Sequence, residues 1–237
     1  MPGSKGGKGG GTRQPGRAAA VRVKTARQRS ASSTRWLQRQ LNDPYVQEAR
    51  RRGYRSRAVF KIEELEAKFK LLRRGMRVVD LGAAPGGWTQ YAAEKVGPSG
   101  KVVALDLLEM DPVPGAVVLR GDLTDPAVEA QLRDVLGGPA DLVLSDMAPS
   151  MTGHAPTDHL RSVGLAEAAV DLAAAVLLPG GGFVAKVLQG SDEPALTAAL
   201  RKRFAKVARI KPAASRDESR EFYLVATGFR GDPEGQA

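Results

Sequence analysis

The 237-residue sequence contains no cysteine, which excludes disulfide bridges and every thiolate metal site. Because such a chain suits a reducing compartment, we expect a cytoplasmic protein. Long apolar runs are also absent: the most apolar region, residues 165–189, is interrupted by Glu167, Asp171 and Lys186. No uncharged stretch reaches the ~20 residues that a membrane span needs, so we expect a soluble protein.

Acidic residues are almost missing from the first quarter of the chain. Residues 1–57 hold 15 lysines and arginines and only two acids, whereas residues 58–237 hold 21 basic and 24 acidic residues. The net charge of +10 therefore comes entirely from the N-terminal quarter. A basic segment of this kind fits a polyanionic partner such as RNA, because each neutralised phosphate releases condensed counterions. A basic tail that only aids solubility is the alternative.

The first 35 residues show no apolar periodicity and are rich in Gly, Arg and Ser. This composition predicts a disordered basic arm over residues 1–35, because the segment cannot bury enough apolar surface to fold alone. An organelle transit peptide is a second interpretation, although clustered glycines interrupt any amphipathic helix. A flexible C-terminus is expected over residues 231–237.

Residues 36–230 show the pattern of one α/β domain. Apolar residues recur at helical spacing on both sides of Gly53, which predicts two N-terminal helices within residues 36–74, on the substrate side. After them, strands alternate with helices, and this alternation predicts βαβ crossovers and a mainly parallel sheet of seven strands. The predicted strands are MRVVDL, KVVALDL, AVVLRG, ADLVLSDMA, GGFVAKVLQ, VARIKP and EFYLVATGF. Between the strands, one predicted helix begins at Gly87, and three others cover roughly residues 125–136, 159–178 and 193–205.

A turn of small residues follows the first strand, in VVDLGAAPGGWTQY at residues 78–91. It lies at the carboxyl end of a parallel strand, where a doubly wound sheet binds its ligand, and glycines such as Gly86 let a ligand approach the backbone. The spacing departs from the G-x-G-x-x-G of dinucleotide enzymes. A methionine-like chain with a sulfonium, attached to adenosine, needs no pyrophosphate cradle. We therefore predict S-adenosyl-L-methionine as the cofactor, with Asp80 or the carbonyls of the turn facing its charged end.

Acidic residues at the ends of the next two strands fit the same cofactor. Asp106 is placed to accept hydrogen bonds from ribose hydroxyls, and Asp122 could bond the adenine amino group. As an alternative, both are ordinary turn residues at strand exits. Three acids at successive strand ends, counting Asp80, favour the cofactor.

Two further charged residues suggest the chemistry. Asp146, in LSDMAPSMTG, follows a strand on the edge of the sheet that carries the glycine turn, where a carboxylate could orient a nucleophile or the methyl donor. Lys186 interrupts the apolar strand FVAKVLQG, a costly position unless the amine is paired or neutral. A buried amine is a candidate general base, and a lysine that snorkels out at the strand end is the alternative. Lys61 and Glu221 could supply counter-charges.

The only two histidines lie close together in TGHAPTDH. His154, Asp158 and His159 have a spacing that could bind a metal, but no further strong ligand lies nearby. We expect no metal and interpret the segment as a mobile loop on the substrate side, with Asp158 near a helix start.

Seven segments, in order, resemble the FtsJ/RrmJ family of ribose 2′-O-methyltransferases. They are YRSRAVFKIEEL, VVDLGAAPGGWTQY, DLLEMDP, GDLTD, LSDMAPSMTG, FVAKVLQG and SREFYLVATG. The resemblance extends from about Pro44 to Phe229 and does not cover residues 1–35. It implies a Rossmann-like methyltransferase sheet with an antiparallel final strand. We also expect a monomer and a reaction that requires no metal.

The resemblance also implies functional residues. A catalytic Lys-Asp-Lys-Glu tetrad falls on Lys61, Asp146, Lys186 and Glu221, with Lys186 as the proton acceptor. The implied cofactor contacts fall on Gly86, Trp88, Asp106, Asp122 and Asp146. Without the resemblance, Trp88 could be a simple packing residue.

The implied activity is 2′-O-methylation of a ribose in RNA. The resemblance favours a uridine of the 23S rRNA A-loop in the large ribosomal subunit, and tRNA or another RNA is the alternative. A pseudoenzyme that only binds RNA is expected to lose a member of the tetrad, and all four are present. A methyltransferase for small molecules or proteins would not need the basic arm or a buried lysine beside an aspartate.

Overall fold

The computed structural model describes residues 30–149, 152–190 and 193–231. The chain divides into two compact units, Met1–Gln47 and Glu48–Ala237. Most of the predicted basic arm, residues 1–29, lies outside the described residues, as does most of the predicted flexible C-terminus, residues 232–237. The predicted division at residue 35 therefore differs from the boundary between the two units.

The described part of the first unit is helical. Helix α1 (Ala31–Asn42) begins inside the segment that the sequence predicts to be disordered, so residues 31–35 are helical in the structure. The reason is local: the Ser30 hydroxyl accepts a hydrogen bond from Ser33 N at 3.2 Å and caps the helix. Helix α2 (Pro44–Arg51), which contains the boundary between the two units, was not predicted as a separate helix. Pro44 starts it because proline needs no N–H partner in a first turn.

The second unit contains the remaining helices and all strands of the described chain. In order, they are α3 (Val59–Phe69), β1 (Arg77–Leu81), α4 (Gly87–Val96), β2 (Lys101–Asp106), β3 (Ala116–Arg120), α5 (Pro126–Leu136), β4 (Ala140–Ser145), α6 (Ala155–Val176), β5 (Leu177–Leu188), α7 (Glu193–Arg203), β6 (Phe204–Ile210) and β7 (Glu221–Phe229). Within the described ranges, no helix is long and apolar enough to cross a membrane.

The seven strands form one sheet in the order β3-β2-β1-β4-β5-β7-β6. Strands β1 to β5 pair in parallel, and β7 runs antiparallel to both β5 and β6. The predicted α/β fold with a mainly parallel sheet and an antiparallel final strand is therefore confirmed. The position of β7 between β5 and β6 was not predicted.

The core explains why the strands are almost uniformly apolar. Val79, Val103, Val143 and Phe183, from β1, β2, β4 and β5, are fully buried in one cluster with apolar residues of α5, α6 and α7. Strands of a parallel sheet that is covered on both faces need apolar side chains in both directions.

Several predicted boundaries move, and β5 begins at Leu177, four residues before the predicted strand. Helix α3 ends at Phe69, five residues before the end of the predicted helical region at residue 74, because Lys70 adopts a left-handed conformation and its N–H returns to Glu66 O. Helix α6 begins at Ala155, four residues earlier than predicted, and β6 begins at Phe204.

The strand directions bring several polar residues to one edge of the sheet. We call it the carboxyl edge, the edge where β1, β2, β4 and β5 end. Because β7 is antiparallel, it begins at this edge, with Glu221 opposite Leu188 and Tyr223 opposite Lys186.

Candidate active site

Four charged side chains meet at the carboxyl edge. Asp146 follows the last residue of β4, Lys186 lies near the end of β5, Glu221 begins β7, and Lys61 reaches them from the first turn of α3. The sequence therefore folds so that the four predicted tetrad residues come together from four different elements.

The charges alternate over short distances. Lys186 Nζ donates to the carbonyl oxygen of Asp146 at 2.6 Å and lies 3.1 Å from Asp146 Oδ1. Lys61 Nζ lies 2.6 Å from Glu221 Oε1 and 3.9 Å from Asp146 Oδ1. Only 9 % of the Lys186 side chain is exposed. This lysine is buried and paired, so the alternative of a snorkelling lysine does not describe it.

Tyr223 belongs to the same cluster and was missed in the sequence. Its hydroxyl donates to Asp146 Oδ1 at 2.5 Å, and the side chain is fully buried. The ring lies 5.6 Å from Lys61 Nζ, at cation–π distance, and 5.7 Å from the ring of Trp88. One signal could have found it: Tyr223 is two residues from Glu221, and alternate residues of a strand share a face.

The surroundings keep Asp146 ionised. Burial raises the pKa of its carboxyl, but attraction to Lys186 and Lys61 and hydrogen bonds from Tyr223 and Lys186 outweigh burial and lower the pKa below its ordinary value. Burial raises the pKa of Tyr223 well above its ordinary value, and the negative charges of Asp146 and Glu221 add to this effect. The tyrosine therefore remains a neutral hydrogen-bond donor beside a charged acceptor.

The glycine turn lies beside the cluster, between β1 and α4. Gly86 caps α4 with φ +107°, and a Cβ at this position would lie 3.0 Å from Arg55 Nη1 and 3.1 Å from Met110 Sδ. A Cβ on Gly82 would overlap the Met147 side chain. Packing inside the protein is therefore a second reason for glycine at both positions, and a close approach of a ligand to this backbone stays a prediction.

Asp106 and Asp122 both hold backbone at the ends of their strands. Asp106 accepts from Ala84 N at 2.9 Å and Leu108 N at 2.8 Å, and so connects the glycine turn to the loop after β2. Asp122 accepts from the backbone N and hydroxyl of Thr124, and these hydrogen bonds lower its pKa. The alternative interpretation, that both are turn residues at strand exits, therefore agrees with the contacts in the structure. Each carboxylate still has lone pairs for a ligand.

Asp80, at the end of β1, has an unpaired buried oxygen. Its Oδ2 accepts from Thr89 Oγ1 at 2.6 Å, whereas Oδ1 is buried without a hydrogen-bond partner among the described residues. Burial raises the pKa of Asp80 to about 7; repulsion from Asp146 and Asp106 adds to the effect, and the Thr89 hydrogen bond opposes it. A free buried acceptor beside the glycine turn fits a ligand with a positively charged end. The residues present therefore fit the predicted cofactor.

Trp88 is a packing residue in the contacts that the structure shows. It is 3 % exposed, and its Nε1 donates to Ala58 O at 2.8 Å, which connects α4 to the start of α3. Its contact with the cofactor remains a prediction.

The side chains of the histidine-containing segment, residues 152–159, also form hydrogen bonds with the backbone. Asp158, in the first turn of α6, accepts from Thr152 N at 2.7 Å and Gly153 N at 3.1 Å, while His159 Nδ1 lies 3.1 Å from Leu188 O. His154 is exposed at the N-cap of α6. In the described ranges, no three His, Asp or Glu side chains gather as a metal site.

Comparison with known proteins gives concordant matches. A family model described as FtsJ-like methyltransferase matches residues 54–229. Two similar curated relatives are both named Ribosomal RNA large subunit methyltransferase E. The protein from Paramagnetospirillum magneticum is 59% identical over 219 residues, covering 90% of each chain. The protein from Parvibaculum lavamentivorans is 52% identical over 242 aligned positions, covering 98% of this chain and 94% of the relative.

A similar solved structure is described as a ribosomal RNA methyltransferase from Plasmodium falciparum. It has a TM-score of 0.68 and 29% sequence identity, and the match covers 76% of this chain and all of that chain. The structural likeness thus agrees with the matches by sequence.

Proposed function

The chain belongs to the FtsJ-like methyltransferase family, and on this premise we propose that it transfers a methyl group from S-adenosyl-L-methionine to a ribose 2′-hydroxyl of RNA. The observation that carries the proposal is the buried lysine pair on either side of Asp146, beside the glycine turn. Such an arrangement suits the removal of a proton from a weakly acidic hydroxyl.

The proposed cofactor site lies along the carboxyl ends of β1, β2 and β3. Asp80 would face the positively charged end of the cofactor, Asp106 the ribose hydroxyls and Asp122 the adenine amino group. Gly86, Trp88 and Asp146 are the remaining proposed contacts. When bound, S-adenosyl-L-methionine supplies an electrophilic methyl group on its sulfonium.

Lys186 is the proposed proton acceptor. A ribose 2′-hydroxyl is a poor nucleophile at neutral pH, so it must be oriented and must lose its proton as the new bond forms. In its neutral form, Lys186 Nζ would take that proton, and the resulting ammonium would be stabilised by Asp146 Oδ1, 3.1 Å away. Burial strengthens this attraction, because little water competes with it.

Lys61 and Glu221 have a proposed positioning role. Their ion pair of 2.6 Å lies next to Asp146 and would orient the substrate ribose and maintain the geometry of the charged cluster. Tyr223 fixes one oxygen of Asp146 by its hydrogen bond.

The proposed substrate is RNA of the large ribosomal subunit. The names of the relatives support it, and so does the excess of basic residues in the N-terminal quarter. Within that RNA we propose a uridine of the 23S rRNA A-loop; another RNA, such as tRNA, is the alternative. The proposal includes a cytoplasmic location, which suits a chain without cysteine.

Transfer of a tritiated methyl group tests the proposal. Purified protein and labelled S-adenosyl-L-methionine are incubated with large subunits lacking the modification, with naked 23S rRNA, or with tRNA. Alkali cleaves RNA through the free 2′-hydroxyl, so label on that oxygen survives in alkali-resistant dinucleotides. We expect resistant label from large-subunit RNA. Label confined to bases contradicts the proposed chemistry, and label confined to tRNA contradicts the proposed substrate.

Lys186→Ala separates catalysis from binding in the same assay. We expect the single-turnover rate to fall ~10²–10⁴-fold, the range of a lost general base, with nearly unchanged calorimetric affinity for the cofactor. Lys206→Ala, at an exposed lysine of β6, is the control and should transfer methyl groups normally. Near-normal transfer by Lys186→Ala would assign Lys186 a structural role.

A further inference from the structure

Helix α3 binds the loop that leads into β7. This loop, residues 211–220, joins β6 to β7. The Glu64 carboxylate accepts hydrogen bonds from two successive amides of the loop, Ala213 N at 2.6 Å and Ala214 N at 2.8 Å. Arg57, just before α3, donates to the carbonyl of Ala214. Ala214 is fully buried under these contacts.

The loop is closed internally up to Glu221. Lys211 Nζ donates to Asp217 O at 3.2 Å and to Ser219 O at 2.7 Å, so the two ends of the loop are joined. Glu221 N then donates to Ser219 Oγ at 3.2 Å. These hydrogen bonds connect the start of the loop that Glu64 holds to the residues directly before Glu221.

The contacts form a ring that returns to α3. Glu221 Oε1 lies 2.6 Å from Lys61 Nζ, and Lys61 lies one helical turn before Glu64. Helix α3 consequently holds Glu221 in two ways, directly through Lys61 and indirectly through Glu64 and the loop. A carboxylate that accepts from two N–H groups makes charge-assisted hydrogen bonds, which are shorter and stronger than neutral ones.

We propose that Glu64 is a positioning residue for methyl transfer, fixing the Lys61–Glu221 pair by holding residues 213–214 against α3. This inference rests on the proposed function, because it assigns Glu64 a role in the same reaction. Glu64 acts through the loop and not on the reacting atoms. Misplacement by about 1 Å costs as much as 10²-fold in rate, so a small relaxation of the loop has a measurable effect.

A double-mutant cycle tests the proposal. Glu64→Gln keeps the shape of the side chain but loses the charge and one acceptor. We expect the single-turnover rate to fall roughly 10- to 100-fold, with cofactor affinity within about threefold of wild type. In a Glu221→Ala background, the same change should cost less than about twofold, because the group to be positioned is absent. Equal losses in both backgrounds would overturn the proposal.

Glu63→Gln is the matched control. It makes the same chemical change one residue earlier on α3, at a side chain that pairs with Arg52, and should leave the rate unchanged. The two proposals fail in different ways. If the wild-type protein transfers no methyl group, the proposed function is contradicted; if it does and the double-mutant cycle shows no coupling, only the role of Glu64 is contradicted.

Amide hydrogen exchange gives a readout independent of activity. Glu64→Gln should accelerate exchange at residues 213–214 and also at 219–221, whereas Glu63→Gln should change neither. Faster exchange confined to residues 213–214 would show that the loop does not transmit the contact to Glu221, and would overturn the proposal.

Discussion

Asp80 is buried and Asp146 is partly buried at a neighbouring strand end, yet their surroundings shift the pKa values of the two carboxyl groups in opposite directions. Burial raises the pKa of Asp80 to about 7, although Thr89 donates a hydrogen bond to its carboxylate. Around Asp146, the two lysines and Tyr223 outweigh burial and lower the pKa. Near neutral pH, the site therefore combines one carboxyl that exchanges its proton readily with one that stays ionised.

The raised pKa of Asp80 predicts a pH-dependent stability. Because the folded state binds this proton more tightly than the unfolded state, the contribution of Asp80 is fully present below its ordinary pKa of 3.8 and is lost as pH rises to about 7. We expect Asp80→Asn to remove this dependence. The difference in free energy of unfolding, Asp80→Asn minus wild type, should therefore rise by on the order of 3 kcal/mol between about pH 5 and pH 8.

Urea unfolding without added ligand, at several pH values, measures the effect. Asp134→Asn, at an exposed aspartate of α5, should follow the wild-type profile. A constant difference between Asp80→Asn and wild type at every pH would show that Asp80 has no raised pKa.

Asp106 gives a prediction on cofactor affinity. A charged hydrogen bond is worth ~1.5–3 kcal/mol, so Asp106→Ala should raise the dissociation constant for S-adenosyl-L-methionine roughly 10- to 150-fold. Because Asp106 also holds Ala84 N and Leu108 N, Asp106→Asn, which keeps one acceptor, should have a smaller effect. Calorimetry measures both, with Asp111→Asn in the same loop as the control. Unchanged affinity in Asp106→Ala would remove Asp106 from the site.

Site residues could be predicted from the sequence where a charged side chain lies in, or directly after, an apolar strand. A lysine in an apolar strand and acids at strand exits stand out in the sequence. Tyr223 did not, because a tyrosine in an apolar strand is ordinary and only the pairing of β5 with β7 places its hydroxyl on Asp146. The crowding around Gly86 was also invisible, because Arg55 and Met110 come from segments distant in sequence.

At the scale of elements, glycines at both ends of α4 have different surroundings. Gly86 at the N-cap has φ +107° and crowded neighbours, whereas Gly97 at the C-cap has φ +67° and open space within 4 Å of the position that a Cβ would take. A Cβ on Gly97 meets no neighbour, but φ +67° with ψ −172° is a backbone region that essentially only glycine adopts, so Gly97→Ala should cost ~1–3 kcal/mol from backbone strain alone. Gly86→Ala should cost ~2–4 kcal/mol, because strain and crowding add.

Urea unfolding of the two variants tests this difference. A loss of only ~1–2 kcal/mol in Gly86→Ala, the cost of the left-handed conformation alone, would show that the neighbours of Gly86 move aside without cost.

The order and type of the elements from β1 onward followed from periodicity. The end of α3 moved because the C-cap at Lys70 decided it, whereas α6 begins earlier than predicted without a side-chain cap at His154. Helix α2 escaped prediction because it is only eight residues long. The insertion of β7 between β5 and β6 depends on long-range pairing, which a local pattern does not encode.

At the scale of the whole molecule, the uneven charge predicts how RNA is bound. Removing residues 1–29 deletes eight lysines and arginines and keeps Ser30 as the cap of α1. We expect weaker RNA binding and a flatter salt dependence, with the slope of log affinity against log salt reduced by ~0.7–0.9 per lost contact. The single-turnover rate at saturating RNA should not change.

A salt titration of the full-length and shortened proteins on the same RNA measures the slopes. A third protein, with the eight basic residues replaced by glutamine, separates charge from chain length and should behave like the shortened one. Identical slopes for all three proteins would mean that these residues make no phosphate contacts, and would favour a solubility tail or a targeting segment.

The most direct test of ribose methylation by this protein is a map of 2′-O-methyl groups on total RNA from a strain that lacks its gene. We predict the loss of one group, on a uridine of the 23S rRNA A-loop, with the rest of the map unchanged. The wild-type gene should restore that group, and the gene encoding Lys186→Ala should not. An unchanged 23S rRNA map, or a group lost from tRNA alone, would contradict the account.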